Sequence, residues 1–227
     1  IRNPAQEIKA IVLQNDIWDT AITDLKPQFY RNNQLIYKHY DISNFWSGNE
    51  YLNFDNKQIR NSTVQIARVE KKDIYHTYLY PQAPRNFIPY TYFPDINGQF
   101  VIRTTEAPNA STEADYAMVH FSFDAPKITT KEIYVYGAFN NFETSSENKM
   151  KFNNTTKRYE ASILLKQGFY NYTFVTKDKN NAINTYELNG SFYQTDNVYK
   201  GLVYYKAFGE NYQRVFGVGS AKINSEE

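Results

Sequence analysis

Phe169-Tyr-Asn-Tyr-Thr-Phe-Val-Thr176 decides the fold of this chain. Its side chains alternate with a period of two. Phe169, Asn171, Thr173 and Val175 face one way on an extended backbone, and Tyr170, Tyr172, Phe174 and Thr176 face the other. The second face is the expected core face. Aromatic and β-branched residues at this spacing suit a pleated, half-buried surface and not a helix stripe. The same signal recurs on both sides. Tyr116–Phe123, Glu132–Tyr136 and Arg158–Leu165 precede the stretch, and Leu202–Lys206 and Arg214–Val218 follow it. Short strands at this density are the signature of an immunoglobulin-like sandwich.

Further outward, the first half repeats the pattern. Ile8–Gln14, Gln34–Tyr40, Tyr51–Asp55, Val64–Val69 and Ile74–Tyr80 read as strands. Tyr90–Phe93 and Gln99–Arg103 read as a hairpin across Pro94–Gly98, in which Asn97-Gly98 is a strong tight-turn signal. Thr20–Leu25 has room for one short helical turn. Between the halves, Thr104–Asp115 is polar and offers almost nothing to bury, as a linker would. The expectation is therefore an all-β protein of two β-sandwich domains. The first spans residues 5–103, residues 104–114 are the linker, and residues 115–220 form the immunoglobulin-like domain.

Composition narrows the chemistry. Of 227 residues, 17% are aromatic, with 21 Tyr and 16 Phe, which favours strands over helical bundles. There is no Cys, so disulfides, thiolate metal sites and a Cys nucleophile are excluded. The 25 Lys and Arg balance 24 Asp and Glu, leaving no global field to attract nucleic acid or an anionic membrane. The densest basic spot, Lys71-Lys72, is flanked by Glu70 and Asp73 and reads as a solvated turn. No apolar run is long enough to span a bilayer as a helix. The chain opens on Ile1-Arg2-Asn3-Pro4, as a processed chain or excised fragment would, and the polar Lys222–Glu227 tail is expected to fray.

Catalytic signals are missing. His39, His76 and His120 each lie in an alternating strand among aromatics, where a part-buried histidine with one hydrogen bond is the ordinary outcome. Neither a G-x-S-x-G elbow nor an H-E-x-x-H helix occurs. Asp95-Ile96-Asn97-Gly98 has too few carboxylates for a calcium loop. A carboxylate pair for glycoside cleavage leaves no spacing to read, and no cleft motif points to one. No cofactor and no metal are expected.

Two resemblances add to this reading. Ile133-Tyr-Val-Tyr-Gly-Ala-Phe-Asn-Asn-Phe142, then Tyr159–Gly168 and Tyr170–Val175, resemble the glycogen-binding-like branch of the early-set immunoglobulin folds. There a strand leads into a G-x-F-N-x-W turn. Gly137 is expected to allow the tight exit from the strand, Phe139 to plug the sandwich end, and Gly168 to turn into the next strand. Glucan-binding members stack sugar on the indole of that turn. Here Phe142 stands in its place, with Thr173 and Asn180 where the other sugar contacts would fall, so the resemblance covers the fold and not the sugar site.

The longer resemblance rests on Ala10–Gln14 with Trp18-Asp19, Gly48–Asp55 (GNEYLNFD), Phe87–Arg103 (FIPYTYFPDINGQFVIR), Glu113–Phe123, Leu164–Val175 and Leu202–Arg214. In that order they resemble the Bacteroidetes family of type IX secretion system plug proteins, a domain of unknown function. The family's proteins are longer and carry a further β domain before this region. The resemblance implies a non-enzymatic protein of the periplasm, associated with the outer membrane. It would close the periplasmic mouth of the outer-membrane translocon barrel by protein–protein contact, with no nucleic acid, no membrane insertion and no glycan as partner. Its rival is a carbohydrate-binding module of a cell-surface glycan system. A plug works through contact area, and exposed aromatics on loops supply that at low entropy cost. The contact candidates are Trp46, Phe142, Trp18 and Phe139. Trp46 leads, because Asn44-Phe-Trp-Ser-Gly48 is a polar loop; core packing is the alternative for each of them.

Overall fold

Strand-forming sequence and turn chemistry account for the elements of the computed structural model, which describes residue 1 and residues 3–223. The first four strands are β1 (Ile8–Gln14), β2 (Ile17–Leu25), β3 (Phe29–Arg31) and β4 (Gln34–Ile36). Then come β5 (Leu52–Asp55), β6 (Ile66–Lys71), β7 (Tyr75–Leu79), β8 (Phe100–Ile102), β9 (Tyr116–Phe123) and β10 (Glu132–Tyr136). The last six are β11 (Lys151–Asn153), β12 (Arg158–Lys166), β13 (Gly168–Lys177), β14 (Ile183–Asn184), β15 (Asn197–Tyr205) and β16 (Arg214–Ile223). Two of the tight turns are Asn-Asp and Asn-Asn pairs in left-handed backbone. Asn15-Asp16 joins β1 to β2 and Asn32-Asn33 joins β3 to β4, conformations that short polar side chains tolerate.

The strands belong to two units. Residues 1–47 and 196–227 form one, and residues 48–195 form the other. In the first unit, β16-β15-β1-β2 make a four-stranded antiparallel sheet, and β3–β4 make a separate hairpin. The chain's two ends therefore meet in one sheet: Ile8 pairs with Tyr205 and Gln14 with Tyr199 along β1 and β15. Asn15 fastens the end of that pairing. Its Nδ2 donates to Asn197 Oδ1 at 2.8 Å, and its Oδ1 accepts from the Val198 N–H at 2.9 Å.

The second unit is a β-sandwich of immunoglobulin-like kind. One sheet runs β11-β12-β9-β7-β6, antiparallel except for the parallel pair β7–β9. The other is organised by β13, which pairs antiparallel with β10, β14, β5 and β8. Between the sheets lies an aromatic core. Tyr170, Tyr172 and Phe174 of β13 are buried as the alternation required. Phe54 stacks on Tyr170 at 5.2 Å between ring centroids, Phe121 meets Tyr172 edge-on at 5.1 Å, and Phe123 meets Phe174 at 4.5 Å. Such pairs add to the area term.

The opposite face of β13 is not open. Asn171, Thr173 and Val175 are also buried. Asn171 explains part of this, because its Oδ1 accepts from the N–H groups of Ile96, at 2.6 Å, and Gly98, at 3.3 Å. The turn at Asn97-Gly98 forms, with φ of 54° and 79°, but it docks on β13 instead of closing a hairpin. Tyr90–Phe93 is irregular, and β8 pairs with β13. A Cβ at position 98 would stand 2.8 Å from the Tyr51 ring, so glycine is needed for space as well as for φ. The GNEYLNFD and FIPYTYF segments are knit together here. Tyr90 donates its hydroxyl to the buried Glu50, and the Tyr51 N–H donates to Asp95.

The expected division at residues 104–114 is corrected by this topology. β5, β7 and β8 precede that segment in sequence, yet they pair with β9 and β13 beyond it, and β6 joins the same sheet through β7. Gln167, which is buried, also ties its start and end: the Arg103 N–H donates to the Gln167 carbonyl at 3.1 Å, and Gln167 Oε1 accepts from the Asp115 N–H at 2.9 Å. The polar stretch is thus a surface connection inside one unit. Thr20–Leu25, expected as a helical turn, is the end of β2. Of the tail expected to fray, Lys222 and Ile223 belong to β16 and residues 224–227 lie outside the described residues.

Phe54 tests the corrected boundary, because it comes from the first half of the sequence and is buried in the core of the second. Phe54→Ala should cost about 3–5 kcal/mol of stability in chemical denaturation. A fragment of residues 104–195, lacking β5 to β8, should fail to give a cooperative transition. A fragment that folds alone would restore the linker reading.

Candidate protein-contact surface

The four expected contact residues separate by position. Trp18 lies on β2, an edge strand, and is 56% exposed; Trp46 lies on the segment between β4 and β5 and is 64% exposed. The loop around Trp46 is held from below, since Gln14 Nε2 donates to the Trp46 carbonyl at 3.1 Å and Phe45 packs on Tyr199 at 5.6 Å.

Phe142 and Phe139 are corrected. Phe142 is only 7% exposed, with its ring 5.4 Å from that of Tyr136. After the short turn Ala138–Asn140, Asn141 and Phe142 both adopt left-handed backbone, with φ of 56° and 55°. That reversal drives the ring inward, and the Phe142 N–H closes it by donating to the Gly137 carbonyl at 3.0 Å. Phe139 is half-buried, meeting Tyr170 edge-on at 5.9 Å, so it does plug the sandwich. Neither offers a contact face, and Phe142 offers no open ring to a sugar. Gly137 has extended backbone, with φ of 176°. Its need for glycine is space, because a Cβ would stand 2.7 Å from the Asn171 carbonyl.

Sequence reading passed over the strongest surface feature. β16 is the other edge of the first unit's sheet and is exposed along nearly all its length, including Val215, Phe216, Val218 and Ile223. A pairing irregularity between Val203 and Tyr204 sets Val203 opposite Gly217 and Tyr204 opposite Val215, leaving Phe216 as the extra residue. Beside Phe216 lies a largely apolar groove of about 670 Å³. Ile8, Ala10, Val203 and Gly217 line it from the sheet, and Tyr30, Leu35 and Tyr37 line it from the β3–β4 hairpin and the residues after it. Among the described residues the buried Tyr37 hydroxyl has no hydrogen-bond partner, and burial raises its pKa. An orphaned buried hydroxyl is uncommon. The signal was present as alternation in Leu202–Lys206 and Arg214–Val218, but alternation does not tell an edge strand from a central one.

The histidines form a ladder on the outer face of the second unit's five-stranded sheet. Parallel pairing of β7 with β9 puts Tyr78 opposite His120, and β12 puts Ser162 on the other side. His76 Nδ1 lies 2.8 Å from His120 Nε2, and Ser162 Oγ lies 2.8 Å from His120 Nδ1. Both contacts are satisfied when Ser162 donates to His120 Nδ1 and His120 Nε2 donates to His76, or when both donors are reversed. Tyr78 stacks on His120 at 4.1 Å, and the Arg68 guanidinium lies 3.6 Å over the Tyr78 ring. His120 is held neutral, its pKa pushed down to about 4 by burial first and then by His76, Lys72 and Arg68, against Glu160. His39 lies in the other unit, its Nε2 against the Lys26 carbonyl at 2.5 Å. Among the described residues no group of three or more histidines and carboxylates is placed to hold a metal ion.

No family model and no curated protein matches the chain. It is similar to a hypothetical protein from Parabacteroides merdae ATCC 43184, known from a crystal structure, with a TM-score of 0.91 and 31% identity over 97% of this chain. The match covers 56% of that protein, so this chain spans little more than half its length.

The histidine ladder generates a pH prediction. A folded-state pKa below the usual 6.5 means that the unfolded chain takes up a proton before the native state does. The contribution is fully present above pH 6.5 and is lost as pH falls toward about 4. Melting temperature should fall through that window. His120→Gln should flatten this part of the profile, and an unchanged profile would refute the assignment.

Proposed function

We propose that this protein is a non-enzymatic accessory component of type IX secretion, a periplasmic plug that closes the translocon barrel by protein–protein contact at the outer membrane. The reading rests on the ordered resemblance to the plug family. The structural observation that carries it is the concentration of large exposed apolar side chains on the first unit: Trp18, Trp46, Phe29, Tyr30 and the row along β16. Exposed apolar surface of this kind marks contact sites. Aromatic anchors that become buried at a contact centre supply much of its energy. The glycan alternative loses its platform with the burial of Phe142.

The test is capture. The full-length protein, immobilised, should retain the large outer-membrane translocon barrel from a detergent extract of the membranes. Trp46→Ala and Trp18→Ala should each weaken that capture about tenfold or more. Melting temperatures should stay within a few degrees of the unmodified protein, since both side chains are more than half exposed. A protein that never retains the barrel would sink the proposal. Micromolar binding of linear α-glucans in isothermal titration would put the carbohydrate reading in its place.

A further inference from the structure

We infer that β16 is a docking edge to which an extended segment of a separate partner polypeptide adds as a further strand, with bulky apolar side chains on its groove side and an acidic residue beside Lys222. The inference uses the first unit alone and stands whether or not the partner is a translocon. Three observations lead to it.

The edge itself comes first. β16 pairs with β15 on one side, and among the described residues its backbone makes no hydrogen bond on the other. Natural edges are kept short, charged, proline-bearing or covered, because an open row of N–H and C=O groups is a template for another strand. β16 is ten residues long, contains no proline, and has no charge between Arg214 and Lys222. Its irregularity lies at Phe216, which leaves Gly217–Ile223 in unbroken register with Val203–Asn197.

Shape comes next. Gly217, Gly219 and Ala221 share a face with Gly201 and Val203 across the pair. A Cβ at Gly219 would meet nothing within 4 Å. This face is a shallow trough that large side chains from an added strand would fill, and it leads to the groove beside Phe216.

Charge sets the polarity of the partner. Arg214, at one end, is neutralised by Glu210 and lies over the rings of Tyr205 and Tyr212. Lys222, at the other end, has no ion pair among the described residues. An acidic residue there would complete it. A second copy of this chain is the poorer occupant. β16 has no acidic residue to set beside Lys222. An antiparallel overlap centred on Val218 would also set Gly217 opposite Gly219, so both troughs stay empty.

The experiment uses the intact chain and a fluorescent probe, a short peptide of alternating phenylalanine and threonine with glutamate at one end, read by anisotropy. Strand addition draws its affinity from main-chain hydrogen bonds and its specificity from alternate side chains. The unmodified protein should bind this peptide about tenfold more tightly than the same peptide ending in lysine, and Lys222→Glu should reverse that preference. Gly219→Val, at an open extended position, should keep the melting temperature and weaken binding about tenfold by filling the trough. N-methylation of alternate peptide nitrogens should abolish binding. Absence of binding by the unmodified protein, equal binding of the methylated peptide, or no response to Lys222→Glu would each overturn the proposal. Sedimentation showing a dimer that Gly219→Val dissolves would assign the edge to a second copy instead.

Discussion

The two-sided burial of β13 is the constraint on which the second unit depends. A strand covered on one face needs apolar residues at every second position; β13 is covered on both. Its inner face supplies Tyr170, Tyr172 and Phe174 to the aromatic core. Its outer face carries Asn171, a polar residue that burial would penalise unless its acceptor were used. The N–H groups of Ile96 and Gly98 use it, and the same contact fixes the path of the chain from Tyr90 to β8. Three strands distant in sequence, β5, β8 and β10, then align on β13. Gly168 marks how close they come, since a Cβ there would stand 2.5 Å from the Val101 carbonyl.

The first unit is built on a different principle. Its sheet joins residues from both ends of the chain, so its stability depends on pairing across a long sequence separation. Asn15 secures that closure by bonding through both its amide and its carbonyl oxygen. Such a unit has little interior and leaves much apolar surface facing outward. Trp18, Trp46, the groove and β16 all belong to it. The second unit builds its core from aromatics, leaves others such as Phe87, Tyr116 and Tyr193 exposed, and satisfies the ladder on its outer face by hydrogen bonds and stacking. The contact residues proposed above, Trp18 and Trp46, both lie on the first unit.

Most strands were legible in the sequence. Ile8–Gln14, Tyr116–Phe123, Glu132–Tyr136 and Phe169–Thr176 match or nearly match the strands that form, because each alternates over five residues or more. The errors fell where local signals compete with distant ones. Asn97-Gly98 makes its tight turn, but the partner of the turn is Asn171 and not the preceding strand. Thr104–Asp115 has a linker's composition, but Gln167 holds its start and end from the far side of the sequence. In the candidate surface, Trp46 was readable as exposed because its loop is polar, whereas Trp18, beside Ile17, read more readily as core. Phe142 was not readable as buried, because its burial follows from two consecutive left-handed residues.

The sequence by itself determined the all-β class, the period and inner face of each long strand, and the turn residues between them. These depend on side chains a few positions apart, whose geometry the backbone fixes. Only the tertiary structure decided which strands became neighbours. It made β13 a centre and β16 an edge, brought His76 to His120, and joined residues 48–103 to those after the polar stretch. Pairing partners are chosen by how well buried surfaces fit and by whether every buried N–H and C=O finds its match, and those are properties of the whole fold that no single segment carries.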